Sequence, residues 1–404
     1  MTMEPAPPEE FPDWAKLPKK MQQDFFELAE KEARKIKTRI LGNRSKIVEL
    51  GKKLKPKFEN VRSNDEWKKW RVCMVDGTES LAMSERVGAR FGAYGATYHI
   101  FEGMDLVGED YYSGQLVDMQ FGDPASTQKI LSLLTLALER DIALDCLQKN
   151  IDLLIVDGSF FGFRPQCHAI HNHKIPHEEY RDGAQLVKHI RDASIKLIES
   201  GKAVGIIKRV QSAALDGWSI KQNGNNQEVL HRNDRHILAS LLKEKQFFSY
   251  ESLFENPTIF NYYMRLALAY ERYARDKKRT IESIFKACTD DVDRNIKRNL
   301  LCEPNQILTT SRHFVRCSIA APPFCFETPT GHDIDCLLAY FQATCNKATG
   351  LPIQLDLTDE DITMPAGFTQ EFTEEIEANL LKDPDLEKLE IENHFASLNP
   401  QKSE

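Results

Sequence analysis

The chain has 404 residues and a net charge of −8, and its 41% hydrophobic and 28% charged residues exclude a disordered or membrane-embedded chain. Apolar runs stay short of the ~20 residues that a transmembrane helix needs, and the N-terminus has no basic segment followed by an apolar run, so we expect neither a membrane span nor a secretory signal. The nine cysteines are scattered and form no CxxC pair, which predicts reduced thiols in a cytoplasmic protein.

The negative charge is concentrated near the C-terminus. Residues 359–404 contain 13 Asp and Glu against three Lys, so the preceding residues sum to about +2. Residues 31–57 carry 11 Lys and Arg against two Glu. The sequence therefore predicts a basic arm and an acidic tail, and the overall charge does not exclude binding to DNA.

The first predicted element is a long helix over residues 21–54. Its apolar side chains recur at alternating steps of three and four from Phe26 to Leu54, with Asn43 at one position of the seam, and Pro56 ends it. A one-sided apolar stripe of this kind needs a partner. Two partners remain open, the rest of the same chain and a second subunit.

The predicted core begins near Trp70. Strands are predicted at 71–76, 90–101, 105–121, 151–157 and 203–207, and helices at 123–147 and 178–200. The resulting order is three strands, a helix, a strand, a helix and a strand. It combines an antiparallel meander with parallel crossovers, which is typical of an α/β fold with an RNase H-like mixed sheet flanked by helices.

The remaining segments are less regular. Residues 210–232 predict a polar loop or hairpin, residues 234–245, 259–298 and 332–347 predict helices, and residues 309–318 and 323–326 predict strands. We therefore expect three parts, a helical and basic arm at 1–69, an α/β domain at 70–365 and an acidic tail at 366–404.

Three acidic residues stand out in this domain. The segments VCMVDGTES and LLIVDGSFF place Asp76 and Asp157 where an apolar strand meets a small turn residue. A single Asp-Gly after a strand is usually turn chemistry, but two with matching flanks on neighbouring strands predict a shared site. Glu139 lies in a densely apolar helix, where a buried acid needs a partner. Alternatively, that helix end reaches solvent and Glu139, Arg140 and Asp141 are solvated.

Carboxylates gathered around one point repel each other unless a cation lies among them. Hard oxygen ligands favour Mn²⁺ or Mg²⁺. Two such ions about 3.5–4 Å apart would activate a water and stabilise the leaving 3′ oxygen during phosphodiester hydrolysis. Lys208, at the end of VGIIKR, could place a positive charge on the scissile phosphate, unless it is only a surface lysine at a strand end.

The chain resembles the NurA nuclease family over most of residues 70–365. The similarity rests on ordered elements: VDGT at Asp76, Glu139 followed four residues later by Ala143, IVDGS at Asp157, VGIIK at Lys208, RNDRHILASLL at 232–242 and GLPIQL at 350–355. The resemblance implies a Mn²⁺-dependent nuclease with an RNase H-like fold, usually a homodimer, acting on DNA ends. It also implies a partner, the hexameric ATPase translocase HerA, in DNA repair or defence against phage.

The sequence departs from the family after Pro352–Leu355. Many members have an Ala-His pair there, and this chain has Thr358 and Asp359. An aspartate can ligate a metal directly but cannot act as a neutral imidazole ligand. Asp359 is therefore a candidate fourth acidic ligand beside Asp76, Glu139 and Asp157.

Other sequence features leave alternatives open. The run CHAIHNHKIPH, Cys167–His177, offers zinc ligands at a non-standard spacing, and solvated or phosphate-contacting histidines are the other interpretation. The sequence has no GxxxxGK[ST] motif, so any motor activity must come from a partner. The alternatives to a nuclease are a non-catalytic RNase H-like DNA-binding subunit of an ATPase complex and a zinc-stabilised regulatory protein.

Overall fold

The computed structural model describes residues 13–119, 123–224, 229–275 and 279–398. The chain divides into two compact units, residues 1–56 and 57–404. The first unit consists, in its described part, of a short 3-10 turn and the helix α1, Lys19–Leu54. Several apolar side chains of α1 are more than half exposed, among them Phe26, Ile36 and Ile40. None of the described helices is long and apolar enough to cross a membrane.

The second unit is built around one sheet of ten strands in the described residues. The strands are β1 Glu59–Asn60, β2 Arg71–Glu79, β3 Ser84–Glu85, β4 Arg90–Glu102, β5 Asp105–Asp118, β6 Leu153–Asp157, β7 Ala203–Ile207, β8 Gln246–Ser249, β9 Thr310–Arg316 and β10 Phe324–Pro329. Their order across the sheet is β1-β8-β9-β10-β7-β6-β2-β4-β3, with β5 also paired to β4. The neighbours β2, β6 and β7 run parallel, and the other pairs are antiparallel. The predicted combination of a meander with parallel crossovers is therefore present.

Helices cover the sheet. They are α2 Pro124–Cys146, α3 Arg164–Cys167, α4 Gly183–Glu199, α5 Ala214–Asn223, α6 Asp234–Ala239, α7 Phe260–Ala274, α8 Ile281–Leu300, α9 Asp335–Ala343, α10 Ile353–Ile362, α11 Phe368–Leu380 and α12 Lys388–Phe395. Helix α2 begins as the sequence predicts, because the Asp123 side chain accepts a hydrogen bond from the Ala125 amide and Pro124 occupies the first helical position.

Side chains of β2 alternate between two apolar cores. Val72 and Met74 join the core that includes α9 and Leu355 of α10, whereas Cys73 and Val75 join the core that includes α2. Both faces of the central strands are thus buried, as expected for parallel strands covered by helices. This alternation decides on which face of the sheet each residue at the end of β2 lies.

The prediction of a polar loop or hairpin over residues 210–232 is wrong, because 214–223 form helix α5. The first amides of α5 are satisfied by a residue far along the chain, since the buried Asp234 carboxylate accepts hydrogen bonds from the Ala214 amide at 2.8 Å and the Leu215 amide at 3.0 Å. A cap supplied by tertiary structure leaves no local signal in the sequence.

The segment after residue 366, predicted as an acidic tail, forms α11 and α12 in its described part. Ile391 and Phe395 of α12 are buried against Ala89 and Phe91, and the rings of Phe91 and Phe395 stack at 5.5 Å. Two apolar anchors are therefore enough to pack an otherwise acidic segment on the sheet.

Candidate metal centre

The three parallel strands β2, β6 and β7 place the candidate functional residues at one edge of the sheet. Val75 of β2 pairs with Val156 of β6, and Asp157 of β6 pairs with Ile206 of β7. Asp76 and Asp157 therefore lie level with each other, and Lys208 follows the end of β7. The carboxyl ends of parallel strands are the usual location of functional side chains in such sheets.

Asp359 reaches this edge from helix α10, which packs on β2 and β4. One carboxylate oxygen from each of Asp76, Asp157 and Asp359 lies within 4.8 Å of the others, and among the described residues this is the group of Asp, Glu, His and Cys side chains arranged to hold a metal ion. We call it the carboxylate cluster. Asp76 shares a face of β2 with Val72 and Met74, which is the face that α10 covers.

The Lys208 ammonium lies among the three carboxylates. Its Nζ is 2.7 Å from Asp359 Oδ1, 3.1 Å from Asp157 Oδ2 and 3.7 Å from Asp76 Oδ2. Burial alone would lower the pKa of Lys208, but Asp157, Asp76 and Asp359 outweigh burial and raise it. Lys208 is therefore a permanent cation at this edge, and not a general base at neutral pH.

The three acids differ in their environments. Burial, followed by the charge of Asp157, raises the pKa of Asp76 well above its usual range, and burial likewise raises the pKa of Asp157 against the opposing effect of Lys208. Partial burial would also raise the pKa of Asp359, but the hydrogen bond and the charge of Lys208, with smaller contributions from Asp76 and Arg209, together outweigh burial and lower that pKa. Lys208 thus compensates the charges of the three acids only in part, and the unfavourable effect falls mainly on Asp76, the most deeply buried acid, as its raised pKa shows.

The donor set fits a hard divalent cation. Asp76 Oδ1 accepts a hydrogen bond from the Gly77 amide at 2.8 Å, whereas Asp76 Oδ2 is buried and no described group donates a hydrogen bond to it. A buried carboxylate oxygen without a donor is costly unless a cation lies nearby. Oxygen ligands from carboxylates are those that Mn²⁺ and Mg²⁺ prefer.

Glu139 lies close to the cluster but outside it. Helix α2 packs on the opposite face of β2, and a Cβ atom at Gly77 would collide with the Glu139 carboxylate and the Thr135 methyl group. Glu139 is buried, and burial, opposed by Arg140, raises its pKa to about 7. The alternative in which Glu139 and Arg140 are solvated is therefore wrong for both, whereas Asp141 is partly exposed and accepts a hydrogen bond from His189.

Two residues near Glu139 were missed by sequence reasoning. Arg140 is fully buried, its guanidinium donates no hydrogen bond to a described residue, and its nearest carboxylate is Glu139 at 3.8 Å. Glu79 accepts hydrogen bonds from Ser132 and, at 3.0 Å, from Thr135. Glu79 belongs to the same VDGTES segment as Asp76, so its proximity was a usable signal. No signal in the sequence indicated that Arg140 is buried, because an arginine in an apolar helix is usually exposed.

The Cys167–His177 run does not gather metal ligands in the described residues. Cys167 is buried and donates to the Phe163 carbonyl, and its pKa is raised to about 12 by burial. His171 bonds the Asn299 carbonyl and His177 the Tyr94 hydroxyl. These side chains therefore tie the loop to neighbouring elements.

The chain is similar to one known protein family and to solved structures. A family model for the NurA domain matches residues 35–285, more than half of the chain, beginning within α1. A comparison with curated proteins found no match. The chain is similar to the crystal structure of the NurA nuclease from Sulfolobus solfataricus, with 16% sequence identity, 92% of this chain and 100% of that chain covered, and a TM-score of 0.57. It is also similar to a crystal structure of NurA bound to dAMP and manganese, with 10% identity, 90% and 98% of the two chains covered, and a TM-score of 0.46. The likeness to the Sulfolobus solfataricus structure confirms the predicted RNase H-like α/β fold.

Proposed function

The chain belongs to the NurA family, and from this premise we propose that it is a metal-dependent nuclease that hydrolyses phosphodiester bonds of DNA at the carboxylate cluster. The observation that carries the proposal is the convergence of Asp76, Asp157 and Asp359 within 4.8 Å at the carboxyl edge of the parallel strands. The buried Asp76 Oδ2, which accepts no hydrogen bond from a described residue and lies 3.7 Å from the Lys208 ammonium, supports a divalent cation at this point.

Asp76, Asp157 and Asp359 would hold Mn²⁺ or Mg²⁺, and we propose two ions, as the chemistry of phosphodiester hydrolysis favours. When bound, the metal supplies a water of lowered pKa and positive charge for the phosphate oxygens. Glu139 has a positioning role in this proposal, because its carboxylate lies against Gly77, next to Asp76. After burial and Asp157, the charge of Glu139 also raises the pKa of Asp76.

Lys208 has the geometry of a phosphate-binding cation. Its ammonium has one flexible stem and three donors, and it lies at the edge where the acids converge. A phosphate oxygen entering this edge can replace one of its carboxylate contacts, and the ammonium then stabilises the negative charge that builds up on the phosphate. Because its pKa is raised, Lys208 stays charged throughout.

We extend the proposal to assembly and substrate. The described part of helix α1 exposes the apolar residues Ile36 and Ile40, a surface suited to pairing with a second copy. We propose a homodimer that acts on DNA ends together with a HerA-type hexameric ATPase, in repair or antiviral defence. The missing P-loop motif supports an external motor.

Incubation of the purified protein with end-labelled linear DNA in Mn²⁺, Mg²⁺ and EDTA tests the catalytic part. We expect cleavage in Mn²⁺ and none in EDTA. DNA binding without metal binding and without cleavage would instead support the non-catalytic DNA-binding subunit.

Light scattering of the protein alone, and then mixed with a HerA-type ATPase, tests the assembly. We expect a dimer that forms a larger complex with the ATPase and cuts further along DNA in the presence of ATP. A monomer that forms no complex would refute the assembly while leaving the nuclease proposal intact.

A further inference from the structure

A cavity is lined by residues that adjoin the carboxylate cluster in the sequence. Its volume is about 480 Å³, which is within the size range of small-molecule sites. Ser159, two residues after Asp157, lines it, and so does Arg209, which directly follows Lys208. The segments that position the cluster therefore also form a wall of this cavity.

The cavity carries an excess of positive charge. Three arginines line it, Arg164, Arg209 and Arg312, against one carboxylate, Glu327, which leaves a formal balance of +2. Arg164 is partly buried, and burial, followed by repulsion from Arg312, lowers its pKa. Like charges held together in a buried setting are destabilising unless an anion lies between them.

Glu327 forms an ion pair with Arg312, but the hydrogen bonds that it accepts come from neutral donors. Its Oε2 accepts hydrogen bonds from the Ser159 hydroxyl at 2.6 Å and the Phe160 amide at 3.1 Å, and its Oε1 accepts one from the Thr310 hydroxyl at 2.7 Å. The Arg312 Nε lies 3.8 Å from Glu327 Oε1, beyond hydrogen-bond distance.

The arginine donors are correspondingly underused. Arg312 is enclosed, and its Nε is buried without a hydrogen-bond acceptor among the described residues. Its guanidinium donates one long hydrogen bond of 3.4 Å to the Ser159 hydroxyl. No described residue accepts a hydrogen bond from the Arg164 guanidinium. The Phe260 ring lies 4.7 Å from the Arg312 guanidinium and holds it in place. The cavity therefore holds three arginines beside one carboxylate, and that carboxylate accepts its hydrogen bonds from neutral groups.

We propose that this arginine pocket binds the terminal phosphomonoester of a nucleic-acid strand together with its nucleotide. A phosphomonoester carries a charge of about −1.5 to −2 at neutral pH, which matches the excess of +2, whereas an internal phosphodiester carries only one negative charge. Guanidinium groups bind phosphate oxygens in a bidentate manner. The apolar side chains of Phe161, Met264 and Leu308 also line the pocket and suit a sugar and base.

The position fits the nuclease proposal on which this inference rests. Hydrolysis in which water adds to phosphorus and the 3′ oxygen leaves creates a phosphomonoester at every cut. A pocket beside the cluster would hold either the phosphorylated end of the strand or the released mononucleotide. Both ligands share the chemistry that the pocket recognises.

Binding of fluorescent single-stranded oligonucleotides to the full chain in Ca²⁺ tests the pocket. The oligonucleotides carry a 5′ phosphate, a 3′ phosphate or hydroxyls at both ends, and unlabelled deoxynucleoside 5′-monophosphate and inorganic phosphate serve as competitors. We expect one phosphorylated end to bind at least about tenfold more tightly than the hydroxyl ends. Displacement by the monophosphate would show that the free product shares the pocket.

Arg209→Gln and Arg164→Gln should each reduce that preference to below about threefold. Arg209 is exposed, so its replacement does not threaten the fold, and Arg298→Gln, an exposed arginine outside the pocket, is the matched control. Equal binding of phosphorylated and hydroxyl ends, or a preference that both variants retain, would overturn the pocket. Cleavage of the same strands in Mn²⁺ separates the two proposals. Cleavage without any end preference in binding refutes only the pocket, and end preference without cleavage refutes only the nuclease.

Discussion

Replacing Lys208 by methionine should make the stability of the protein depend strongly on divalent metal. The ammonium of Lys208 contacts the carboxylates of Asp76, Asp157 and Asp359 at 3.7, 3.1 and 2.7 Å. Without it, three acids with oxygens within 4.8 Å repel each other unopposed. A divalent cation among the acids would replace the lost charge, and it would no longer compete with the lysine.

The magnitude follows from burial. Removing one partner of a buried ion pair costs about 3–5 kcal/mol, because the other charge stays buried. Lys208 keeps 22% of its side chain exposed and Asp359 keeps 56%, so water screens part of the loss, and we expect about 2–3 kcal/mol in EDTA. For a chain of this size, that loss lowers Tm by about 2–4 °C.

Thermal unfolding in EDTA and in a series of Mn²⁺ concentrations measures the effect. Lys208→Met should be less stable than the wild type in EDTA, and Mn²⁺ should raise its Tm more than it raises that of the wild type. Lys221→Met is the matched control, because the Lys221 side chain is 24% exposed but pairs with one carboxylate, Glu282, which is 70% exposed. The control should lose less than about 1 kcal/mol, with no dependence on Mn²⁺.

A Lys208→Met protein with the same Tm as the wild type in EDTA would show that the lysine does not compensate the acids. A deficit that Mn²⁺ leaves unchanged would show that the cluster does not take up a cation in place of the lysine. Either result would refute the electrostatic account of the centre.

Three further predictions concern the residues around the cluster. Asp359→Asn should raise the Mn²⁺ concentration needed for half-maximal cleavage more than it lowers the saturated rate, because Asp359 is the most exposed of the three acids; an unchanged metal titration would contradict its role as a ligand. The raised pKa of Glu139, about 7, means that its contribution to stability is present below about pH 4.5 and lost as the pH rises through 7. Between pH 5 and 8 in EDTA, the free energy of unfolding of Glu139→Gln should therefore fall by about 2–3 kcal/mol less than that of the wild type, as thermal unfolding measures it. Parallel pH profiles of the two proteins would contradict this prediction. Gly77→Ala should cost about 1–3 kcal/mol in denaturant unfolding, because the added methyl group collides with Glu139 and Thr135, and a neutral effect would show that α2 does not pack closely there.

The two acids of the carboxylate cluster that lie at strand ends could be predicted from local sequence. The matching segments around Asp76 and Asp157 combine an apolar strand with a small turn residue, and parallel pairing then places both acids at one edge. Asp359 was a different case. It lies on a helix, and only the resemblance to a family pointed to it. In the structure Thr358, its neighbour, bonds His99 on β4, which fixes the rotation of α10 and directs Asp359 to Lys208.

The remaining features depend on tertiary packing that a sequence pattern does not encode. Glu139 lies in an apolar helix, as the sequence shows, but the sequence does not tell which face of the sheet that helix covers. The arginine pocket joins Arg164 to Arg312, which are far apart in the chain and carry no shared motif. Helix α5 was missed because its capping acid, Asp234, follows it by eleven residues or more.

The most direct test of the central claim is the rate at which Asp157→Asn cleaves linear DNA at saturating Mn²⁺. Asn keeps the shape of the side chain but removes one charge from the carboxylate cluster. Asp141→Asn, an aspartate of α2 outside the cluster that bonds His189, is the control and should cleave like the wild type. The account predicts that Asp157→Asn binds DNA and folds normally but cleaves at least about 100-fold more slowly. Cleavage by Asp157→Asn at a rate near that of the wild type would contradict the assignment of the active centre.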